Sequence, residues 1–294
     1  MTAMPAQVGV VTKADALFFD GLQALLASLE VWHPEWPVTV VDCGMTSGQR
    51  QAVMRHERVE LVAAIDWGFV IPEVMRHYYT SAIYGFFSVH DRLYPVTVHL
   101  DADAVVLGRL DDLAAAVPGA DPGICGVPDY PELTLAYQLG GLAGAREALA
   151  AAVPDADLGS RSFNGGVFAI DARYYEERMR PFVELLLPHH ESFWGNDMAI
   201  MNFAAYAANR SRPYLDPGHP YNTRHYYRRA PELVSNRIKG WDQRGLPSLD
   251  GPFGPVRVLH FVGKNKPWAA AVPETDSTRC WRVYRELARQ KTGY

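Results

Sequence analysis

The stretch Pro95-Val-Thr-Val-His-Leu-Asp-Ala-Asp-Ala-Val-Val106 decides how this chain is read. Its valines, Leu100 and the following Ala104, Val105, Val106 and Leu107 make an apolar run of the kind a strand shows when both its faces are covered in an α/β sheet. Two acids, Asp101 and Asp103, interrupt that run where water is scarce. Left ionised and unpaired, each would cost roughly several kcal/mol, so a cation is expected beside them. In an extended chain residues i and i+2 point to the same side, so both carboxylates can converge on one ion. Short oxygen donors suit Mg²⁺ or Mn²⁺ better than a soft metal. Taken alone, the D-x-D string fits an ordinary strand-end turn equally well, and the rest of the chain has to decide.

Upstream, residues 7–12 read as a first buried strand. Phe18, Leu22, Leu25, Leu29 and Trp32 then recur at helical spacing until Pro34. Residues 37–41 give a second strand, Ser47 is placed to cap a short helix running to residue 55, and residues 59–65 give a third strand. Strands alternating with helices imply a mainly parallel sheet. Residues 72–93 carry a longer helical pattern whose aromatics (Tyr78, Tyr79, Tyr84, Phe86, Phe87) read as core packing.

Downstream, residues 110–117 read as a short helix and residues 123–127 as a strand. Residues 136–154, with Gly140, Gly141 and Gly144 among alanines, have the make-up of a lid or acceptor-side insertion, flexible or loosely helical. Residues 162–171 form another strand opened by Asn164, Gly165 and Gly166, where small residues let backbone or ligand come close. Residues 174–187 and 196–208 read as helices. Asp197 in the second one's first turn is as well placed to complement the helix dipole as to work on a ligand. Residues 211–254, rich in Pro, Gly, Tyr and Arg, read as mostly irregular, the kind of long loop that shapes a site. Residues 255–261 are a last strand, and residues 278–291 a helix docking Trp281, Tyr284 and Leu287. The expectation is one α/β domain over residues 1–294. Within it, 7–106 open with the strand-then-helix of a nucleotide-binding α/β unit, 107–270 follow as a second half, and 276–291 form a C-terminal helix.

Composition narrows the function classes. Hydrophobic residues make up 48% and charged residues 21% of the 294, as in a soluble globular enzyme. A net charge of −5 without a basic block argues against a nucleic-acid groove. Cys43, Cys125 and Cys280 are widely spaced and lack C-x-x-C spacing, which points to a reducing compartment, no structural zinc and three buried thiols. Residues 1–8 have neither a basic region nor an apolar core, and no apolar stretch reaches bilayer length, so no signal or transmembrane segment and a cytoplasmic location are expected.

Four stretches now stand in one order: the strand and helix of residues 8–32, Asp101-Ala-Asp103, Asn164-Gly-Gly166 with Asp197, and His260-x-x-Gly263-x-x-Lys266-Pro-Trp268. Together, over about residues 8–268, they resemble glycosyltransferase family 8, the group of glycogenin and the bacterial lipooligosaccharide galactosyltransferases. The resemblance implies a GT-A (Rossmann-like) fold, with a mixed, mostly parallel central sheet flanked by helices. It also implies transfer of a hexose from a nucleotide diphosphate sugar, UDP-linked, with retention at the anomeric carbon. The acceptor would be a hydroxyl of a glycan, a lipid-linked sugar or a small molecule. By the same resemblance Asp101, Asp103 and His260 are ligands of Mn²⁺ (or Mg²⁺), Gly263 and Lys266 contact the donor phosphates, and Ala102 lies against the donor. Asn164 and Asp197 face the donor sugar, and Thr12 and Asp15 match the uridine-contacting opening.

Three features depart from that pattern. The helix before the D-x-D has Tyr84-Gly-Phe-Phe87 where the family carries a basic residue, so Arg76 or Lys13 stands in, or the donor binds more weakly. Met198 follows Asp197 where the family has glutamine, which favours front-side attack by the acceptor hydroxyl with the leaving phosphate as base; Asp197 is the other available carboxylate. Residues 213–229 match no standard acceptor site. Two other readings compete. Val96 to Val106 also resembles the first motif of haloacid-dehalogenase-type phosphohydrolases, whose acidic pair would have to be Asp242 and Asp250, and a lapsed transferase could bind a nucleotide sugar without turning it over.

Overall fold

The computed structural model describes residues 7–68, 80–129, 134–139, 145–154, 156–194, 196–224, 236–263, 266–270 and 272–294. Its strands are β1 (Val8–Ala14), β2 (Val38–Asp42), β3 (Val59–Ala63), β4 (Val96–Leu100), β5 (Ala104–Val106), β6 (Ile124–Pro128), β7 (Phe163–Asp171), β8 (Thr223–Arg224), β9 (Arg237–Trp241), β10 (Pro247–Gly251), β11 (Gly254–Pro255) and β12 (Val258–His260). They form a six-stranded sheet of order β3-β2-β1-β4-β7-β6 and two three-stranded sheets, β11-β10-β9 and β5-β12-β8. β2 runs parallel to both β1 and β3, while β6 is antiparallel to β7. The architecture is therefore mixed α/β with a mostly parallel central sheet flanked by helices, as the alternation of strand and helix implies.

By internal contacts the chain divides into two compact units. The first comprises Val10–Ala64, Leu100–Asp111 and Gly218–Tyr294. Its framework is the Phe19–Trp32 helix packed with the Asp276–Thr292 helix, around a core that includes Ala24, Val105, Leu259, Phe261, Cys280, Trp281 and Tyr284. Ser28 on the first of these helices accepts the Val106 N–H at 3.0 Å, satisfying a buried strand donor that the short β5 would otherwise leave open. Arg285 reaches across to Asp20 with two bonds of 2.8 and 2.6 Å. The Ser47–Val53 helix is capped by Thr46, in a capping box with Gln49, and not by Ser47.

The second unit holds Ile65–His99 and Asp112–Pro217. Its aromatics stack inward, His99 on Phe168 with centroids 4.8 Å apart and Phe86 edge-on to both. Of the helix expected at 72–93, residues 72–79 fall outside the described ones, and Ser81–Ser88 is a 3₁₀ helix and not an α-helix. Residues 136–154 are helical at Leu135–Leu139 and Ala145–Ala152. Among the described residues of 211–254, the chain forms a 3₁₀ turn at His219–Asn222 and the strands β8 to β11 beside irregular segments. β9, Arg237-Ile-Lys-Gly-Trp241, alternates in exposure, but its shortness and its Arg, Lys and Gly content leave little apolar pattern in the sequence. Cys125 and Cys280 are buried thiols as expected, whereas Cys43 is partly exposed.

His33 and Glu30 tie stability to pH. His33 is buried and its Nε2 accepts the Leu110 N–H at 2.9 Å, so only the neutral ring fits. Burial and then the nearby Arg109 push its pKa down from 6.5 to about 4. Burial alone would raise Glu30, but His56, Lys291 and the Glu57 N–H outweigh it and hold the carboxyl near 2 against an ordinary 4.5. Both groups bind protons less readily folded than unfolded, so their stabilisation is complete above the unfolded value and lost as pH falls toward the folded one. We expect the unfolding temperature to fall first between pH 6.5 and 4 and again between 4.5 and 2. Each group should contribute about 1–2 kcal/mol after screening. A His33→Gln variant whose melting curve keeps the same slope between those upper limits would contradict this.

Candidate active site

β4 stops at Leu100, and the two aspartates lie in a tight turn in which the Ala104 N–H donates to the Asp101 carbonyl at 3.0 Å. Residues 95–106 are thus not one strand, and the carboxylates converge through the turn, not through the i, i+2 alternation of an extended chain. β5 then leaves in a different sheet, antiparallel to β12, with Ala104 opposite His260. The Phe261 N–H donates to the Asp103 carbonyl at 3.0 Å, so the aspartate turn and the end of β12 are clamped together. The turn sits at the C-terminal end of β4, a central strand of the mostly parallel sheet, and open α/β sheets place their ligands at strand C-terminal ends.

His260 Nε2 lies 3.1 Å from Asp103 Oδ1 and 3.8 Å from Asp101 Oδ2. Its Nδ1 is 3.1 Å from Asn222 Oδ1, an acceptor, so Nδ1 carries the proton and the Nε2 lone pair faces the two carboxylates. Lone pairs aimed at one another at this range repel unless a cation stands between them. Asp103 Oδ1 is fully buried and makes no hydrogen bond among the described residues. One ligand atom from each of Asp101, Asp103 and His260 falls within 4.8 Å of the others. Two oxygens and one imidazole nitrogen, with the imidazole oriented from behind, fit Mn²⁺ or Mg²⁺. A second acidic group, His33, Glu35 and Asp111, does not fit a metal, because Arg109 already holds both acids and Leu110 holds the His33 lone pair.

The outer oxygens of the pair face ammonium groups. Lys266 Nζ is in close contact with Asp103 Oδ2 and donates to the Phe261 carbonyl at 2.7 Å. Lys13 Nζ, at the end of β1, is 3.2 Å from Asp101 Oδ1 and only 8% exposed. Burial by itself would raise the Asp103 pKa, yet the Lys266 ammonium beside it holds the carboxyl below the usual carboxylate range. Lys266 also lies 5.2 Å over the Phe18 ring, and Phe18 meets Trp268 edge-on at 5.8 Å, so the Lys-Pro-Trp segment is anchored on the start of the Phe19–Trp32 helix. Gly263 takes a φ of +87°, which a residue with a side chain rarely adopts.

Other expected residues sit as follows. Ala102 is buried in the aspartate turn. Thr12 is wholly buried in β1, and its hydroxyl has no partner among the described residues. Asp15 follows β1 and accepts the Leu17 and Phe18 N–H groups at 2.9 and 3.1 Å, closing the turn that precedes the helix. In the second unit Asn164 accepts the Gly166 N–H at 3.1 Å, and Asp197 accepts the Met198 N–H at 2.9 Å. A Cβ on Gly165 would lie 3.2 Å from the Met198 side chain, so this glycine lets the Asn196–Ala208 helix approach β7 closely. Arg76 lies outside the described residues.

Two contributors escape a reading of the sequence. Asn222 lies in the Arg- and Tyr-rich stretch and reaches His260 only because β8 pairs parallel with β12. Gly21 lies in the first turn of a helix, where a Cβ would sit 2.5 Å from the Ala102 carbonyl oxygen and 2.7 Å from the Trp268 ring. We expect Gly21→Ala to cost about 2–3 kcal/mol, because a backbone carbonyl cannot move aside as a side chain can. Calorimetric unfolding measures this, and a loss of less than about 0.5 kcal/mol, ordinary for an unconstrained surface change, would contradict it.

Comparison with solved structures bears on the class. The fold is shared with glycosyltransferases. An active-site mutant of LgtC has a TM-score of 0.59 and 17% identity, covering 96% of this chain and 95% of that one. The galactosyltransferase LgtC in complex with donor and acceptor sugar analogs gives 0.58 and 18%, with the same coverages. The bifunctional glycosyltransferase WbbM gives 0.62 and 16%, covering 97% of this chain and 50% of that one. No family model and no curated protein matches the sequence.

Proposed function

We propose that the protein is a metal-dependent retaining glycosyltransferase that moves a hexose from a UDP-sugar to an acceptor hydroxyl. The observation that carries this reading is the converging set Asp101, Asp103 and His260, with the His260 lone pair turned inward by Asn222, on a fold that glycosyltransferases share. A divalent cation bound there would supply Lewis-acid stabilisation of a leaving diphosphate. Asp101, Asp103 and His260 would hold that cation, His260 through Nε2. Lys266 supplies a point charge for the phosphate oxygens and needs no proton transfer, so it stabilises charge that grows as the anomeric C–O bond breaks. Gly263, whose φ of +87° suits a residue without a side chain, is assigned to the donor phosphates with Lys266. Ala102, Thr12 and Asp15 are assigned to the nucleotide, and Asn164 and Asp197 to the donor sugar.

Because Met198 offers no nucleophile, the acceptor hydroxyl attacks from the side the diphosphate leaves and passes its proton to a departing phosphate oxygen. The rival phosphohydrolase reading finds no support in its acids. Asp242 closes the β9–β10 turn by accepting the Arg244 and Leu246 N–H groups, and Asp250 pairs with Lys239 on the same hairpin. Incubation with Mn²⁺ and a panel of UDP-sugars tests the proposal: slow release of UDP supports it, and with an acceptor the product anomer read by NMR should retain the donor's configuration. Hydrolysis of an aryl phosphate without UDP release would overturn it. Among the described residues no helix is long and apolar enough to cross a membrane.

A further inference from the structure

The carboxylates of Asp101 and Asp103 divide their oxygens between two kinds of partner. The inner pair, Asp101 Oδ2 and Asp103 Oδ1, faces His260 Nε2 at 3.8 and 3.1 Å. The outer pair faces ammonium groups, Asp101 Oδ1 meeting Lys13 at 3.2 Å and Asp103 Oδ2 meeting Lys266. A cation held on the inner oxygens therefore need not displace either lysine. Charge then decides what else the site takes. Two aspartates and two lysines sum to zero, so a divalent cation would leave an excess of about two positive charges among side chains that are 4% to 31% exposed. An uncompensated charge of that size in a poorly hydrated site is costly, and an anion carrying two or more negative charges removes it.

We propose that Lys13 is a second diphosphate-binding cation, standing across the aspartate pair from Lys266, and that it makes metal and diphosphate binding mutually reinforcing. The inference rests on the transferase reading. Lys13 suits the task because β1 fixes its backbone at the C-terminal end of a parallel strand, and its ammonium is a point charge that forms charge-assisted bonds to phosphate oxygens.

Calorimetric titration of Mn²⁺, UDP and uridine into the full chain and into Lys13→Met and Lys13→Arg tests it. For Lys13→Met, UDP binding in the presence of Mn²⁺ should weaken by roughly tenfold or more, the size of one lost charge-assisted bond. Uridine binding should be unchanged, and Mn²⁺ alone should bind as well or better once a neighbouring positive charge is gone. Lys13→Arg should keep most of the UDP affinity. If Lys13 only neutralised Asp101, the Met variant would bind UDP with Mn²⁺ as tightly as the native protein, and that result overturns the proposal. If the native, folded protein binds no UDP with Mn²⁺, the transferase reading fails with it; if the native protein binds and Lys13→Met binds equally, only the role of Lys13 fails.

Discussion

Asp101→Asn is expected to abolish UDP release from UDP-sugars, lowering turnover by at least about a hundredfold, the scale on which removing one stabiliser of transition-state charge acts. The amide keeps an oxygen for Lys13 but loses the negative charge that a divalent cation needs. Because the Asp101 side chain is 31% exposed, water reaches the amide and the fold should persist, although the Lys13 ammonium, 8% exposed, loses its charged partner and some stability with it. Asp103→Asn should be as inactive but less stable, by about 3 kcal/mol, since Asp103 is 7% exposed and its loss strands the Lys266 ammonium at 15% exposure. Measuring Mn²⁺-dependent UDP release alongside the unfolding temperature separates the two effects. Near-native turnover in Asp101→Asn would refute the assignment of the metal site.

Asn222→Leu carries the second large effect. Asn222 is 1% exposed, and it accepts the His260 Nδ1 proton, which leaves Nε2 free to ligate. Removing such an oriented acceptor typically weakens metal binding about 10- to 100-fold. We expect that loss for Mn²⁺ in direct titration, with turnover falling in parallel at subsaturating metal and recovering as metal is raised. Asn222→Asp, which still accepts from Nδ1, should restore most of the affinity. Unchanged Mn²⁺ affinity in Asn222→Leu would show that His260 is held by something else.

How far these features could be read in advance depends on how local their cause is. β1, β2, β3, β6 and β7 follow from apolar runs bounded by turn residues, and the Phe19–Trp32 and Asn196–Ala208 helices from periodic burial. β9, β10 and β11 were hidden because hairpin strands this short, carrying Gly and Pro, have little periodicity for a pattern to show. The same holds for the 3₁₀ conformation of Ser81–Ser88, whose aromatic spacing fits an α-helix equally well until packing selects the tighter turn.

The candidate site divides in the same way. Sequence by itself supplied the chemistry: two acids in an apolar run, a histidine with a glycine and a lysine after it, and an asparagine before paired glycines are all properties of single segments. Their order also sufficed to suggest a class of fold. Tertiary structure alone decided that the two acids meet in a turn, that β5 and β12 pair in a register bringing His260 opposite Ala104, that Asn222 turns the imidazole, and that Lys13 shares the aspartates with Lys266. The physical reason is that ligand geometry and charge balance depend on distances between segments far apart along the chain. Those distances are set by strand register and by close approaches such as that of Gly21 to Ala102, which no residue's identity records.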